Sequence, residues 1–377
     1  MKVVIAIDSF KGSLSSAQAG EACRQGVLRA VPDAAAEVFG IADGGEGTLD
    51  VFLRLGMEKR SFTVTGPLGE KLEAGCCIGG GRAFIEMAAA AGLPLVPPEK
   101  RDPMDTTTRG VGELILGALD CGCREIYLGI GGSATNDCGI GMLTALGFGF
   151  YDEAGNKCEP NGRGLCSAAR IDGSAADPRL KECAFTVACD VNNPLFGRMG
   201  AAEIYGPQKG APPEAIRQLD SAAENFARLC GGRENAFIPG AGAAGGLGFA
   251  MRQFLGARLI PGIDFILQAA GIEAHIADAD LVITGEGRLD AQSAMGKAPA
   301  GVAALAAKYG VPAVAVTGCL GIGADECLKR GMDAYFPIPA GPCTEQEAMD
   351  ADIAAANLSR TAEQVCRLFL SGGRGKR

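Results

Sequence analysis

A single histidine, His275, stands in 377 residues, and that scarcity narrows the chemistry. His275 lies between Ile272 and Ile276 in a helix-like stretch and belongs to no motif. A Ser-His-Asp triad has no other imidazole to use, so a general base has to be a carboxylate or a lysine. No run of about 18 uninterrupted apolar residues occurs, so no membrane-spanning helix is expected. The opening Met1-Lys2-Val3-Val4-Ile5-Ala6-Ile7 is too short and too soon polar for a signal peptide, and reads as a buried strand. The P-loop pattern G-x-x-x-x-G-K-[ST] is absent, and Gly285-Glu286-Gly287 lacks the third glycine of a dinucleotide fingerprint. Long linkers, low-complexity tracts and fixed-period repeats are missing too. Positive charge is in deficit: the net charge of −9 weighs against a nucleic-acid partner, so any bound anion needs a local basic pocket. Cysteine is plentiful, but its number, 15, is odd and no C-x-x-C pair exists. Zinc and disulfide frameworks are therefore disfavoured, and free thiols in a reducing cytoplasm fit better.

What is present is glycine, in ordered places. The 57 glycines are about twice average usage, and most sit at strand exits and turns. Five short β-branched runs each end in a turn rich in Gly, Ser, Thr, Asp or Lys, followed by a helix-like stretch. They are residues 3–7, 38–41, 126–130, 281–284 and 313–317. Parallel strands place their carboxyl ends along one rim, where open α/β sheets bind ligands. Glycines let backbone approach a phosphate, and helix N-termini favour negative charge. A rim carrying amides, lysine and carboxylates together points to phosphoryl transfer.

The length suits two domains, and 47% hydrophobic against 21% charged residues allows large packed cores. Ser15-Ser16 predicts a helix over 17–30, ended by Pro32. Residues 72–78 and 82–87 read as antiparallel strands. The three threonines 106–108 cap a helix from Arg109 to about Leu119, and the strand 126–130 is expected to rejoin the parallel set. The expected architecture is α/β: a parallel-sheet domain of 1–63, 100–146 and 268–377, interrupted twice by a second nested α/β domain of 64–99 and 147–267. The active site is expected in the cleft between them.

Each candidate loop has a plain structural alternative. In Asp8-Ser9-Phe10-Lys11-Gly12-Ser13, Lys11 near a helix N-terminus opposes the macrodipole unless an anion is present; otherwise it is a solvated lysine. Ala42-Asp43-Gly44-Gly45-Glu46-Gly47-Thr48 offers Asp43 and Glu46 for Mg²⁺ or base work, against a tight turn with exposed acids. Gly131-Gly132-Ser133-Ala134-Thr135-Asn136-Asp137 can cradle an anion with its amides and hydroxyls, and Asp137 is a candidate base or metal ligand. The alternative there is a glycine-dense packing contact. Asp190, with Asn192 two residues on, can orient a hydroxyl or simply form an Asx-turn before Pro194. Lys209 is a substrate anchor or a surface turn lysine, and Arg109 is an anion-binding candidate at a helix start. Glu286, Arg288 and Asp290 leave one strand together, and Arg288 can fork onto a carboxylate or phosphate.

These motifs, in this order, resemble the bacterial glycerate kinase family, in its glycerate 2-kinase branch. The matching runs are 8–16, 42–48, 106–113, 131–141, 189–195, 206–211, 243–249 and 281–293. The resemblance implies two α/β domains, one Rossmann- or flavodoxin-like. It also implies ATP- and Mg²⁺-dependent phosphorylation of D-glycerate to 2-phospho-D-glycerate in the cytoplasm. The role of each residue is read from its chemistry. Lys11 and the amides of residues 131–135 hold phosphates, with Glu286 beside the nucleotide. Asp43 or Glu46 holds Mg²⁺, with Asp137 a further candidate ligand. Asp190 takes the proton of the attacking hydroxyl. Arg288 or Lys209 binds the glycerate carboxylate, with Arg109 and Asn192 as further substrate contacts. Alternatives are a glycerate 3-kinase or a kinase of a related small hydroxy acid. A nicotinamide-dependent dehydrogenase and a small-anion binding protein are weaker readings. Nothing in the sequence sets the oligomeric state.

Overall fold

The computed structural model describes residues 1–41, 51–53 and 56–372. In chain order its strands are β1 (Lys2–Ile7), β2 (Ala35–Gly40), β3 (Glu58–Thr65), β4 (Lys71–Gly79), β5 (Arg82–Glu86), β6 (Glu125–Gly129) and β7 (Gly149–Tyr151). They continue as β8 (Arg170–Asp172), β9 (Ala184–Ala188), β10 (Arg258–Ile260), β11 (Leu281–Leu289), β12 (Ala313–Leu320) and β13 (Ala334–Pro337). The chain divides into two compact units, Met1–Val51 with Gly262–Arg377, and Phe52–Pro261.

In the first unit the order β13-β12-β11-β1-β2 makes a five-stranded sheet, parallel throughout. Val3 through Ile7 are wholly buried in β1. A continuous apolar run of this kind is what a parallel strand covered on both faces requires. The predicted helix runs Ser16–Ala30, and Ser15 and Gln18 close a capping box at its start. It packs backbone to backbone on the helix Ala351–Gly372: a Cβ at Gly26 would lie 2.1 Å from the Ser359 carbonyl oxygen.

The second unit carries a mixed sheet in the order β10-β9-β6-β5-β4-β3, plus the hairpin β7-β8. Strands β3, β4 and β5 are antiparallel, as expected for residues 72–78 and 82–87. From β5 through β6 and β9 to β10 the pairing is parallel. Its core gathers Ile85, Leu114, Ile115, Phe226 and Phe249, each essentially inaccessible.

Three expectations need correction. Strand β6 does not rejoin the first sheet; it pairs with β5 and β9, and residues 100–146 belong to the second unit. The second unit is thus one insertion rather than two. The apolar run 126–128 fits any buried parallel position, and what decides its sheet is the partner β5, whose Ala83, Phe84 and Ile85 are equally buried. The boundaries shift accordingly, with Phe52 opening the second unit and Gly262 returning to the first. Finally, Gly285-Glu286-Gly287-Arg288 is strand rather than turn: β11 stays paired with β12 through Leu289↔Leu320. Gly285 and Gly318 serve close strand approach, since a Cβ on either would lie 2.0 Å or 2.5 Å from a carbonyl oxygen of the neighbouring strand. Among the described residues no helix is long and apolar enough to cross a membrane.

Candidate active site

In the first unit, a cavity of about 730 Å³ opens at the carboxyl ends of β1, β11 and β12. Asp8, Ser9 and Lys11 reach it from the turn after β1, Glu286 and Arg288 from β11, and Lys297 from the start of the helix Ala298–Lys308. The alternation of a strand sends residues two apart to one side, which is why Glu286 and Arg288 share this cavity. The turn is held by the bond from Asp8 N to the Gly285 carbonyl, 2.9 Å.

The charges here are loosely matched. Lys11 and Lys297 make no ion pair among the described residues, and Arg288 lies 3.5 Å from Asp290. Asp8 accepts from Ser9 N at 2.6 Å, and Asp290 from Gln292 N at 2.8 Å. Glu286 differs: its Oε1 is buried with no hydrogen-bond partner among the described residues, as is Ser13 Oγ on the same wall. Burial pushes the Glu286 carboxyl up to about 7, with Asp8 and Asp290 adding to the rise and Ser293 and Lys297 opposing it. Two lysines without ion pairs among the described residues, beside an arginine whose pairing with Asp290 is long, suit an anionic ligand.

The second unit holds a separate polar group. Lys209 is 2% exposed; its Nζ donates to Ser133 Oγ at 2.8 Å and to the Thr135 carbonyl at 2.7 Å. Burial pulls its pKa down to about 7, and the Asp137 charge resists only in part. Gly131 and Gly132 are exposed at the mouth of this loop, and Gly132 takes φ +72°. Against the far side of the loop sits a left-handed turn, Ala244 (φ +52°), Gly245 and Gly246. Cys138, itself at φ +47°, donates to the Gly245 carbonyl. A Cβ at Gly245 would lie 2.1 Å from the Thr135 carbonyl oxygen. Positive φ at alanine and cysteine costs about 1–2 kcal/mol each and persists where surrounding packing enforces it.

Lys11, Glu286 and Arg288 therefore share one cavity, and Ser133, Thr135, Lys209 and Asp137 share one cluster. Asp43 and Glu46 lie outside the described residues. Asp190 and Asn192 are exposed beyond β9, and Arg109 is paired with Glu113 on its own helix at 3.1 Å. Two assignments are corrected. Asp137 is not open to a metal: it is wholly buried and accepts from Thr108 N, Thr108 Oγ1, Gly139 N and Gly141 N at 2.8–3.2 Å, which fills a carboxylate's acceptor sites. The anion-binding amides are fewer than expected, because Ala134 N donates to the Ala91 carbonyl. Thr135 is also sealed in, with its Oγ1 and the polar atoms of the Asn136 side chain buried without hydrogen-bond partners among the described residues. The Ala244–Gly246 turn was signalled in sequence only by its paired glycines. Thr108 was legible as one of the threonines before the helix from Arg109, but its bond to Asp137 was not.

A family model described as the glycerate kinase family matches residues 3–370. The chain is 48% identical over 353 residues to a glycerate kinase of Halalkalibacterium halodurans, covering 92% of this chain and 93% of that protein. It is 46% identical to the glycerate 2-kinase of Escherichia coli, covering 99% of each. Its structure matches the crystal structure of a putative glycerate kinase 2 from Salmonella typhimurium with a TM-score of 0.86 at 45% identity, over 99% of both chains. A match of this length and identity leaves no part of either unit unaccounted for, and the chain belongs to the glycerate kinase family.

Proposed function

We propose that this chain transfers the γ-phosphoryl group of ATP to D-glycerate, giving 2-phospho-D-glycerate. The observation that carries the reading is the first-unit cavity, where Lys11, Arg288 and Lys297 face a space of about 730 Å³, the two lysines without an ion pair among the described residues and Arg288 paired only with Asp290 at 3.5 Å. Its size is within the usual range for small-molecule sites. The likeness to a glycerate 2-kinase across the whole chain supports the choice of substrate and of the 2-hydroxyl.

Phosphoryl transfer needs charge neutralisation and alignment more than covalent chemistry. Arg288 binds the glycerate carboxylate through its planar fork, which fixes the acceptor hydroxyl. Lys11 stands beside the transferring phosphoryl group and offsets its charge. In its own unit, Lys209 with Ser133 and the exposed amides of Gly131 and Gly132 recognises an anionic substrate group. No three of His, Cys, Asp and Glu lie together as a metal site among the described residues. Mg²⁺ asks for only one or two carboxylates when nucleotide phosphates and waters complete its shell, and Asp43 and Glu46 are the carboxylates proposed for it. The ion supplies charge neutralisation on the phosphates. The unpaired cysteines support a reducing, cytoplasmic setting.

Phosphorus NMR of the product formed from ATP, Mg²⁺ and D-glycerate tests the reading. A 2-phosphoester is expected; a 3-phosphoester overturns the regiochemistry, and no product overturns the activity. Lys11→Ala is expected to lower kcat/KM by about 10²-fold or more, since it removes a cation from the transition state. Kinetics within a factor of three of the parent remove Lys11 from the site.

A further inference from the structure

We propose that Glu286 is the proton acceptor for the substrate hydroxyl. The inference rests on the kinase reading above and names a residue for its chemical step. Four carboxylates line the cavity, Asp8, Asp290, Glu286 and Glu345, and Glu345 is exposed to solvent. Asp8 is held against its own turn through Ser9 N, and Asp290 caps the turn that follows it through Gln292 N. Of these four, Glu286 keeps a buried oxygen with no hydrogen-bond partner among the described residues. A buried, unpartnered acceptor is costly unless something completes it, and a bound hydroxyl does so.

Position supports the same choice. Glu286 sits on β11, the central strand of the first sheet, one residue past the end of its pairing with β1 and still paired with Thr317 of β12, which fixes the backbone. Arg288 is on the same face two residues on, so one strand presents the carboxylate-binding cation and the base together. A hydroxy acid anchored at Arg288 places its hydroxyl toward Glu286. Asp190, by contrast, is exposed to solvent, where water competes for the proton.

In the step, the hydroxyl proton passes to a Glu286 oxygen as the hydroxyl oxygen bonds to the γ-phosphorus. The bond between that phosphorus and the β,γ-bridging oxygen breaks, and ADP leaves with the electron pair. Glu286 then returns the proton to solvent. Several groups set the readiness of Glu286 for this. Asp8 and Lys11 face it from the turn after β1, and Arg288 and Asp290 from its own strand exit. Ser293 and Lys297 come from the next turn and helix, Cys327 from the segment Ala324–Arg330, and Glu345 from the wall beyond. Burial dominates, and a carboxyl held near 7 matches the working pH of a base.

The test is steady-state kinetics of Glu286→Gln and Glu286→Asp against the parent, from pH 5.5 to 9, with thermal melting and ATP-analogue binding as controls. Glu286→Gln is expected to lose about 10²-fold or more in kcat with KM nearly unchanged, and to lack the acid limb expected of the parent near pH 7. Glu286→Asp should keep an acid limb, moved in pH, and recover part of kcat. A kcat for Glu286→Gln within threefold of the parent overturns the assignment. So does a loss of turnover that comes with collapsed melting or nucleotide binding, because that marks a scaffold residue. If the parent enzyme itself makes no phosphoglycerate, the kinase reading fails rather than the choice of base.

Discussion

Lys209→Met is expected to lower kcat/KM by about 10²-fold or more while leaving the protein as stable as before, or more so, at pH 7. The combination is unusual and follows from where the amine sits. Lys209 is enclosed and, among the described residues, has no ion pair and donates only to a hydroxyl and a carbonyl. Desolvating an ammonium with so little compensation destabilises the fold, and an apolar side chain of similar volume removes that cost. The lost bonds to Ser133 Oγ and the Thr135 carbonyl offset part of the gain, by about 1–3 kcal/mol. The pH dependence carries the sign. The folded pKa of about 7 lies below the ordinary 10.5, so between these values the unfolded chain holds a proton that the folded chain does not. Stability owed to this group therefore rises with pH across that window, by up to about 1.4 kcal/mol per pH unit. The advantage of Lys209→Met should be greatest at or below pH 7 and shrink toward pH 10. Urea unfolding of both proteins at pH 6.5, 8 and 9.5, with kinetics at pH 7.5, checks this. A variant that is less stable at every pH would falsify the view that this lysine is kept for an anionic ligand rather than for the fold.

The local grammar of the chain was legible because it rests on local physics. Ser15 with Gln18 announces a helix start whatever the tertiary context, and the helix begins at Ser16. The β-branched runs 3–7, 281–284 and 313–317 read as buried strands and lie side by side as β1, β11 and β12. The exits of those three strands do form one cavity. What could not be read is long-range choice. Nothing in residues 126–130 distinguishes a strand of one sheet from a strand of the other, and their partner β5 lies about forty residues away in sequence. Glycine was ambiguous for a related reason. Gly285, Gly287 and Gly318 resemble a phosphate loop in sequence, yet Gly285 and Gly318 let β11 and β12 run close together. Lys209 shows the limit for charge: a lysine between Gln208 and Gly210 reads as a surface turn, and only its distance to Ser133 reveals a buried role.

Asp137→Ala is expected to destabilise the second unit by about 3–5 kcal/mol, the size associated with breaking a buried charged network. Its carboxylate lies at the starts of two helices, Arg109–Asp120 and Ile140–Ala145. Oδ2 accepts from Thr108 N, Thr108 Oγ1 and Gly141 N, and Oδ1 accepts from Gly139 N. Thr108 Oγ1 in turn accepts from Met142 N at 2.9 Å, so one acid and one threonine satisfy both helix starts. The two starts abut closely: a Cβ at Gly141 would lie 2.8 Å from Thr108 N and from Arg109 N. Alanine leaves three buried N–H donors without acceptors, in a space where water fits poorly. Burial raises the Asp137 pKa against the pull of these bonds, so the neutral isostere Asp137→Asn loses less, about 1–3 kcal/mol, because it keeps some acceptors but turns one into a donor. Hydrogen exchange at Leu114, Ile115 and Leu143, which line the same core, should report the loss in the second unit while amides of β1 and β11 keep their protection. The apparent Mg²⁺ requirement of whatever activity Asp137→Asn retains should match the parent. A weakened Mg²⁺ dependence would restore the acid to the metal and remove it from the fold.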